Sequence, residues 1–159
     1  MGKPSRDKGA RFEREVVRAV QAAGLVCYRV AGSGALASRV QSKTAAATLR
    51  DDVVIELEDG REIRVECKVR AASALPAYIK PWTRWRGEGV TIAPEEHATH
   101  MMISGRTTGC FDGHTRPLPG YLRDWLSSTG VVCMRQDRGP RLWVFRDDWR
   151  KMQGWPDAD

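Results

Sequence analysis

The chain has 159 residues, with 26 Lys and Arg against 20 Asp and Glu, a formal net charge of +6 and a pI near 9.5. A hydrophobic content of 42% and a charged content of 29% are typical of a globular domain and exclude a disordered tail. No apolar run approaches the ~20 residues of a membrane helix. The polar N-terminal segment lacks the apolar stretch of a secretory signal, so we expect a cytoplasmic protein of a bacterium or an infected host cell.

The positive charge comes mostly from arginine, with twenty Arg and six Lys. The planar fork of arginine matches the oxygens of a phosphate, and nucleic acid is therefore the expected partner of a basic, arginine-rich chain. The alternative is the codon bias of a GC-rich genome. Three of the four cysteines (Cys27, Cys67 and Cys133) have valine neighbours, and we expect them to be reduced and buried.

The first predicted helix follows a short basic segment. Residues 1–10 are interpreted as a flexible arm, and the spacing predicts a helix from Lys8 to about Ala23 with one apolar arc that includes Phe12. Glu13 falls inside that arc. An inward carboxylate needs a partner, a metal ion or a raised pKa, unless Glu13 lies at the edge of the stripe and reaches solvent.

A strand from about Leu25 to Ala31 and a Gly-Ser-Gly turn come next. Residues 35–50 are small, polar and basic, and we interpret them as a loop or short helix.

The segment 51–70 predicts a β-hairpin closed by a three-residue loop at 58–60, with a left-handed glycine. In that register, paired residue numbers sum to 118, and Asp52 lies opposite Glu66. Lys68 shares their face, about 7 Å further along the strand. A two-residue loop would place the two acids on opposite faces.

The later chain is less regular. Residues 71–119 are rich in Pro and Gly and predict a loop-rich inserted subdomain, with a strand only near 100–104. A short helix at 120–128 and strands at 130–135 and 141–146 follow.

The inserted segment contains all three histidines. Zinc is one interpretation, because histidine and cysteine are its usual ligands, and coincidence is the other. The four candidate zinc ligands are His97, His100, Cys110 and His114. Trp82 and Trp85 either stack on exposed bases or pack in a core or dimer interface.

The acidic hairpin face has a chemical interpretation. Asp52 and Glu66, together with an inward Glu13, carry carboxylate oxygens, which are the donors that Mg²⁺ prefers. Lys68 is placed to stabilise the transition state of phosphodiester hydrolysis. The alternative for a Glu-x-Lys pair on a strand is a solvent-facing salt bridge.

Four motifs in order resemble the archaeal-type Holliday junction resolvases, including phage-encoded relatives, of the PD-(D/E)XK nuclease superfamily. They are KGARFERE at 8–15, RVAGSG at 29–34, DDVV at 51–54 and VECKVR at 65–70. The resemblance covers residues 6–70 and resumes more weakly over 120–149. One departure is Asp51-Asp52 in place of the family's Pro-Asp dipeptide.

The length of the chain fits a single nuclease domain over 1–159. The resemblance implies an α/β fold of restriction-endonuclease type, with a central mixed sheet flanked by helices. It implies a homodimer that uses Mg²⁺ or Mn²⁺, with metal ligands Glu13, Asp52 and Glu66 and further catalytic residues Lys68 and Ser33. It also implies DNA contacts near the N-terminus; with other basic and aromatic residues, the candidate DNA-binding set is Lys3, Arg6, Lys8, Arg11, Arg39, Lys43, Arg50, Arg70, Trp82, Arg84 and Arg86.

The predicted function is a Mg²⁺-dependent endodeoxyribonuclease that resolves four-way DNA junctions by paired, symmetric nicks. Three alternatives stay open. One is another PD-(D/E)XK nuclease, such as a nickase, a flap nuclease or a restriction-like enzyme. The second is a non-catalytic nucleic-acid-binding module organised by zinc in 97–114, and the third is a protein-binding inhibitor that retains a nuclease core.

Overall fold

A computed structural model of the chain describes residues 3–30, 51–70, 84–87, 89–104, 111–112, 119–136 and 139–148. The chain divides into two compact units, Met1–Lys68 and Val69–Asp159. The interpretation of residues 1–159 as a single nuclease domain stays a prediction.

The first unit is a helix packed on antiparallel strands. Its elements are α1 (Lys3–Ala22), β1 (Val26–Arg29), β2 (Val53–Glu56) and β3 (Glu62–Arg70), of which the last two residues belong to the second unit. The strand order is β1-β2-β3, with both pairs antiparallel. Helix α1 contacts β1 and β2. Phe12, Val16 and Val20 on the helix are buried, as the apolar arc predicted.

Helix α1 begins earlier than the sequence suggested. It starts at Lys3, so the prediction of a flexible arm over residues 1–10 is wrong from Lys3 onward. Proline is tolerated in the first turn of a helix, where its missing N–H would have no partner anyway, and Pro4 lies there. The basic residues that follow are good helix formers and extend the same helix.

The predicted hairpin register is confirmed. Strand β2 pairs with β3 through Val53 with Val65 and Ile55 with Ile63, and these pairs sum to 118. The loop closes through a bond from the Leu57 N–H to the Arg61 carbonyl, 2.9 Å long. Gly60 has a φ of 82°, a left-handed conformation that glycine adopts without the Cβ clash of other residues.

The second unit contains five strands and two helices among its described residues. They are β4 (Arg84–Gly87), β5 (Val90–Pro94), α2 (Glu95–Ser104), β6 (Phe111–Asp112), α3 (Gly120–Thr129), β7 (Val131–Gln136) and β8 (Arg141–Arg146). Their strand order is β7-β8-β5-β4-β6. All neighbours are antiparallel except β4 and β6, which are parallel, so this sheet is mixed.

The segment 71–119 is more regular than its composition suggested. Its described part includes β5, which pairs with β8 over five residues, so it is not merely a loop-rich insertion. The stretch 100–104 was predicted as a strand, but it is the last half of α2. Glu95 and Glu96 occupy the first turn of that helix, where carboxylates interact favourably with the helix dipole.

The core of the second unit lies between α3 and the strands. Leu122 and Leu126 pack with apolar side chains of β5, β7 and β8. Helix α3 ends at Gly130, whose φ of 77° and N–H bond to the Leu126 carbonyl form a left-handed cap. Cys27, Cys67 and Cys133 are buried thiols outside any disulfide, as predicted. Among the described helices, none combines the length and hydropathy that a membrane crossing requires.

Candidate active site

Asp52 is fixed beside Glu66 by two bonds to the neighbouring strand. Its backbone N–H donates to the Val65 carbonyl at 3.1 Å, and its side-chain Oδ2 accepts from the Cys67 N–H at 2.9 Å. These two contacts lie on either side of Glu66 along β3. The Asp52 carboxylate is therefore held close to Glu66. The paired register of the two strands begins one residue later, at Val53 with Val65, so the predicted pairing of Asp52 with Glu66 stays a prediction.

Glu66 and Lys68 form the second pair of this site. Lys68 Nζ donates to Glu66 Oε1, and the Glu66 side chain is 17% exposed against 33% for Lys68. Burial raises the pKa of the Glu66 carboxyl; the hydrogen bond from Lys68 opposes that rise, and the charges of Asp52 and Asp51 add to it. Asp51 and Asp52, directly before β2, and Lys68, in the second half of β3, thus all act on the Glu66 carboxyl.

Asp51 is an acidic residue that the sequence reasoning did not assign to the site. It is 5% exposed, and its Oδ2 lies 3.5 Å from Arg64 Nη1. Burial raises the pKa of Asp51, and Arg64 lowers it in part. The predicted register distinguishes Asp51 from Asp52 by strand face. Sequence spacing alone does not reveal that Asp51 is buried and paired with an arginine of β3.

Glu13 is held by an arginine. Arg29 donates to Glu13 Oε2 through both Nε, at 2.8 Å, and Nη2. The Glu13 side chain is 13% exposed, so the inward carboxylate of the helix has the partner that its position required. Arg29 pairs with Val53 across β1 and β2, which places the Glu13–Arg29 pair one residue from Asp52 in the register.

The carboxylates fit a hard divalent cation in chemistry, but only two of the three predicted ligands are adjacent. Within the described ranges, no group of three or more His, Cys, Asp or Glu side chains is arranged to hold a metal ion. Asp52 and Glu66 offer the oxygen donors that Mg²⁺ takes. Burial, and after it the charge of Asp52, raises the pKa of Glu66, and a bound cation would offset this cost of two neighbouring carboxylates.

The remaining predicted residues are only partly described. Lys3, Arg6, Lys8 and Arg11 lie on α1, where Lys8 and Arg11 are exposed and Arg11 pairs with Glu15. Arg84 and Arg86 lie on β4, and Arg70 ends β3. His97 and His100 are exposed on α2. Outside the described residues lie Ser33, Arg39, Lys43, Arg50, Trp82, Cys110 and His114, so the serine and the complete zinc set stay predictions.

The fold and the family comparison agree. The chain has an α/β fold of the restriction-endonuclease-like, PD-(D/E)XK type, with a mixed sheet and flanking helices, as predicted. The family model described as the archaeal Holliday junction resolvase (Hjc) matches residues 4–86, which is more than half of the chain. The chain belongs to the archaeal Holliday junction resolvase family. Among curated proteins, none matches it.

Proposed function

We propose that the protein is a metal-dependent endodeoxyribonuclease that resolves four-way DNA junctions by paired, symmetric nicks. The observation that carries this proposal is the arrangement of Asp52, directly before β2, with Glu66 and Lys68 on β3. It lies within the stretch that matches the resolvase family. A carboxylate pair beside an ammonium is suited to hydrolysis of a phosphodiester, which needs charge neutralisation and a positioned water.

The residues divide the work by their chemistry. Asp52 and Glu66 would hold Mg²⁺ or Mn²⁺, and Glu13 would complete the donor set on exchanging its Arg29 partner. When bound, the cation supplies Lewis acidity and neutralises phosphate charge. Lys68, a third exposed, would orient the attacking water and stabilise the charge that develops on the phosphate oxygens.

The test is cleavage of a labelled synthetic four-way junction in Mg²⁺. We expect wild type to make symmetric nicks near the crossover, and Asp52→Asn and Glu66→Gln to lose them. Glu62→Gln is the matched control, because Glu62 is an exposed acid on the same strand and its substitution removes the same charge. Loss of cleavage in the control as well would overturn the assignment of the site.

A second readout does not depend on activity. Mg²⁺ that binds only the folded protein raises its melting temperature. Wild type should therefore melt at a higher temperature in Mg²⁺ than in EDTA, whereas Asp52→Asn should show no such shift. An equal shift in both proteins would place the cation elsewhere.

Paired nicks require two active sites, and we propose that the protein acts as a homodimer in the cytoplasm. Light scattering coupled to gel filtration would report a mass twice that of the 17.8 kDa chain. A panel of junction, flap and linear duplex substrates separates a resolvase from the other nucleases of the superfamily. Preferred cleavage of flaps or linear duplex would replace the resolvase assignment while keeping the nuclease site.

A further inference from the structure

An arginine lies over two aromatic rings in the second unit. Tyr121 and Trp125 stand one turn apart on α3, with ring centroids 4.8 Å apart and planes inclined at 51°. The guanidinium carbon of Arg70 lies 5.3 Å from the Tyr121 centroid and 4.7 Å from the Trp125 centroid. Both distances fall within the range of a cation–π interaction. One guanidinium is thus held by two rings; we call these three residues the arginine platform.

The two rings are held in place by the core of the second unit. Tyr121 and Trp125 are half-buried and pack against a core cluster that includes Leu122 and Leu126. Arg70, by contrast, is exposed. The platform therefore presents a long, flexible side chain on a rigid base, which restricts the positions that its charged end can take.

The exposed edge of Arg70 is available for an anion. Among the described residues, no carboxylate lies within ion-pair distance of Arg70, whereas Arg29, Arg64, Arg141 and Arg146 all have such partners. A guanidinium whose carbon lies over aromatic rings still carries N–H donors at its edge. Those donors match the oxygens of a phosphate in a bidentate geometry.

We propose that Arg70, oriented by Tyr121 and Trp125, binds a backbone phosphate of the DNA substrate. This inference rests on the proposed function, because it takes DNA as the ligand. The net charge of +6 favours a polyanionic partner over an acidic side chain of another protein. Because the contact is to phosphate, it contributes affinity and register on the junction, and it does not read base sequence.

The first test measures binding of a labelled four-way junction in EDTA. Fluorescence anisotropy reports the affinity over a range of salt concentrations. Arg70→Gln should weaken binding by about tenfold and reduce the slope of log affinity against log salt by about one, the value for one phosphate contact. Arg70→Lys should keep that slope, because the charge remains, but lose part of the affinity, because the planar face is gone. Arg123→Gln is the matched control, since Arg123 is an exposed arginine of α3, and it should bind as wild type.

The second test separates the platform from a simple surface charge. Trp125→Leu should lower the affinity for the junction to about that of Arg70→Lys. The double variant Arg70→Gln, Trp125→Leu should bind the junction as tightly as Arg70→Gln alone. If Trp125→Leu does not fold, as judged by circular dichroism, Tyr121→Leu takes its place in the cycle. Trp125→Phe keeps an aromatic face and should retain most of the affinity.

The outcomes are distinguishable from those of the proposed function. Wild-type affinity and slope in Arg70→Gln, while wild type still cleaves junctions, would overturn the phosphate contact and leave the nuclease proposal standing. Equal losses in Arg70→Gln and Arg123→Gln would show a diffuse charge effect and also overturn it. A wild-type protein that neither binds nor cleaves junctions would remove both proposals.

Discussion

Glu66 is proposed to bind the metal ion as a charged carboxylate, but its surroundings make that charge unfavourable for stability. It is mostly buried, it lies beside Asp52, and Asp51 acts on it as well. A folded-state pKa above the ordinary value means that the unfolded chain holds the charged form more easily. Stability contributed by this group is therefore greatest at low pH and is lost as the pH rises from about 4.5 through the folded-state pKa.

Glu66→Gln is accordingly expected to stabilise the protein in EDTA while it abolishes cleavage. The neutral amide removes the desolvation of a buried charge and the repulsion from Asp52, which outweigh the weakened bond from Lys68. The gain in the free energy of unfolding should be up to about 1 kcal/mol near neutral pH. Denaturant unfolding at several pH values measures it. Glu62→Gln on the same strand should change little, and a destabilised Glu66→Gln would contradict the electrostatic account.

Cys27 provides a prediction that is independent of the acidic site. Burial raises the pKa of its thiol from 9.0 to about 12, and the side chain is 3% exposed. The thiolate is the reactive form, and this shift lowers its fraction about a thousandfold near pH 8. Iodoacetamide at pH 8 should therefore leave Cys27 unmodified in the native protein and modify it after denaturation, as followed by peptide mass spectrometry. Equal rates in the two states would contradict its burial.

At the scale of elements, the loop of the β2–β3 hairpin determines the register and so the site. Gly60 and Gly120 both have open space where a Cβ would lie, with no atom within 4 Å, but only Gly60 has a positive φ. Gly60→Ala should therefore cost about 1 kcal/mol of unfolding free energy, because alanine is strained in the left-handed region. The measurement is thermal or denaturant unfolding.

Gly120→Ala is the control for that experiment. It places alanine in the first turn of α3 without a steric clash, and it should be neutral or stabilising, because alanine has the higher helix propensity. Destabilisation of both variants to the same extent would mean that the backbone angle of Gly60 is not the cause.

Elements whose structure is determined by nearby residues could be predicted from the sequence. Elements that form by pairing with distant segments could not. The hairpin register follows from one loop length and a glycine, and α1 follows from its apolar spacing. Strand β5 is short and becomes a strand by pairing with β8, about fifty residues later. The stretch 100–104 has a short apolar centre that suggests a strand, but it follows two glutamates that favour a helix start.

The candidate site shows the same division. Asp52, Glu66 and Lys68 were predictable, because strand alternation and one loop fix their relation. The ion pair of Glu13 with Arg29 joins a helix to a strand, and that of Asp51 with Arg64 joins the segment before β2 to β3. Such pairs depend on tertiary contacts between side chains, and sequence spacing alone does not specify them.

For the whole molecule, the net charge of +6 governs the encounter with DNA. Each phosphate neutralised by Lys or Arg releases counterions, so the affinity for a four-way junction should fall steeply with salt, by about a thousandfold between about 50 and 200 mM if six or more phosphates are contacted. Anisotropy in EDTA measures this, with melting temperatures at both salt concentrations as a check on folding. Salt-independent binding would contradict a backbone-directed mode of recognition.

Strand β5 also limits how far the protein could be shortened. It pairs with β8 on one side and β4 on the other, so it is an interior strand of its sheet although it lies within the segment 71–119. A truncated version without that segment would leave the N–H and C=O groups of β8 exposed along one edge. An unprotected edge next to the buried Trp143 and Phe145 is a template for pairing with other chains. Shortening this chain would therefore produce an aggregating protein in place of a minimal enzyme.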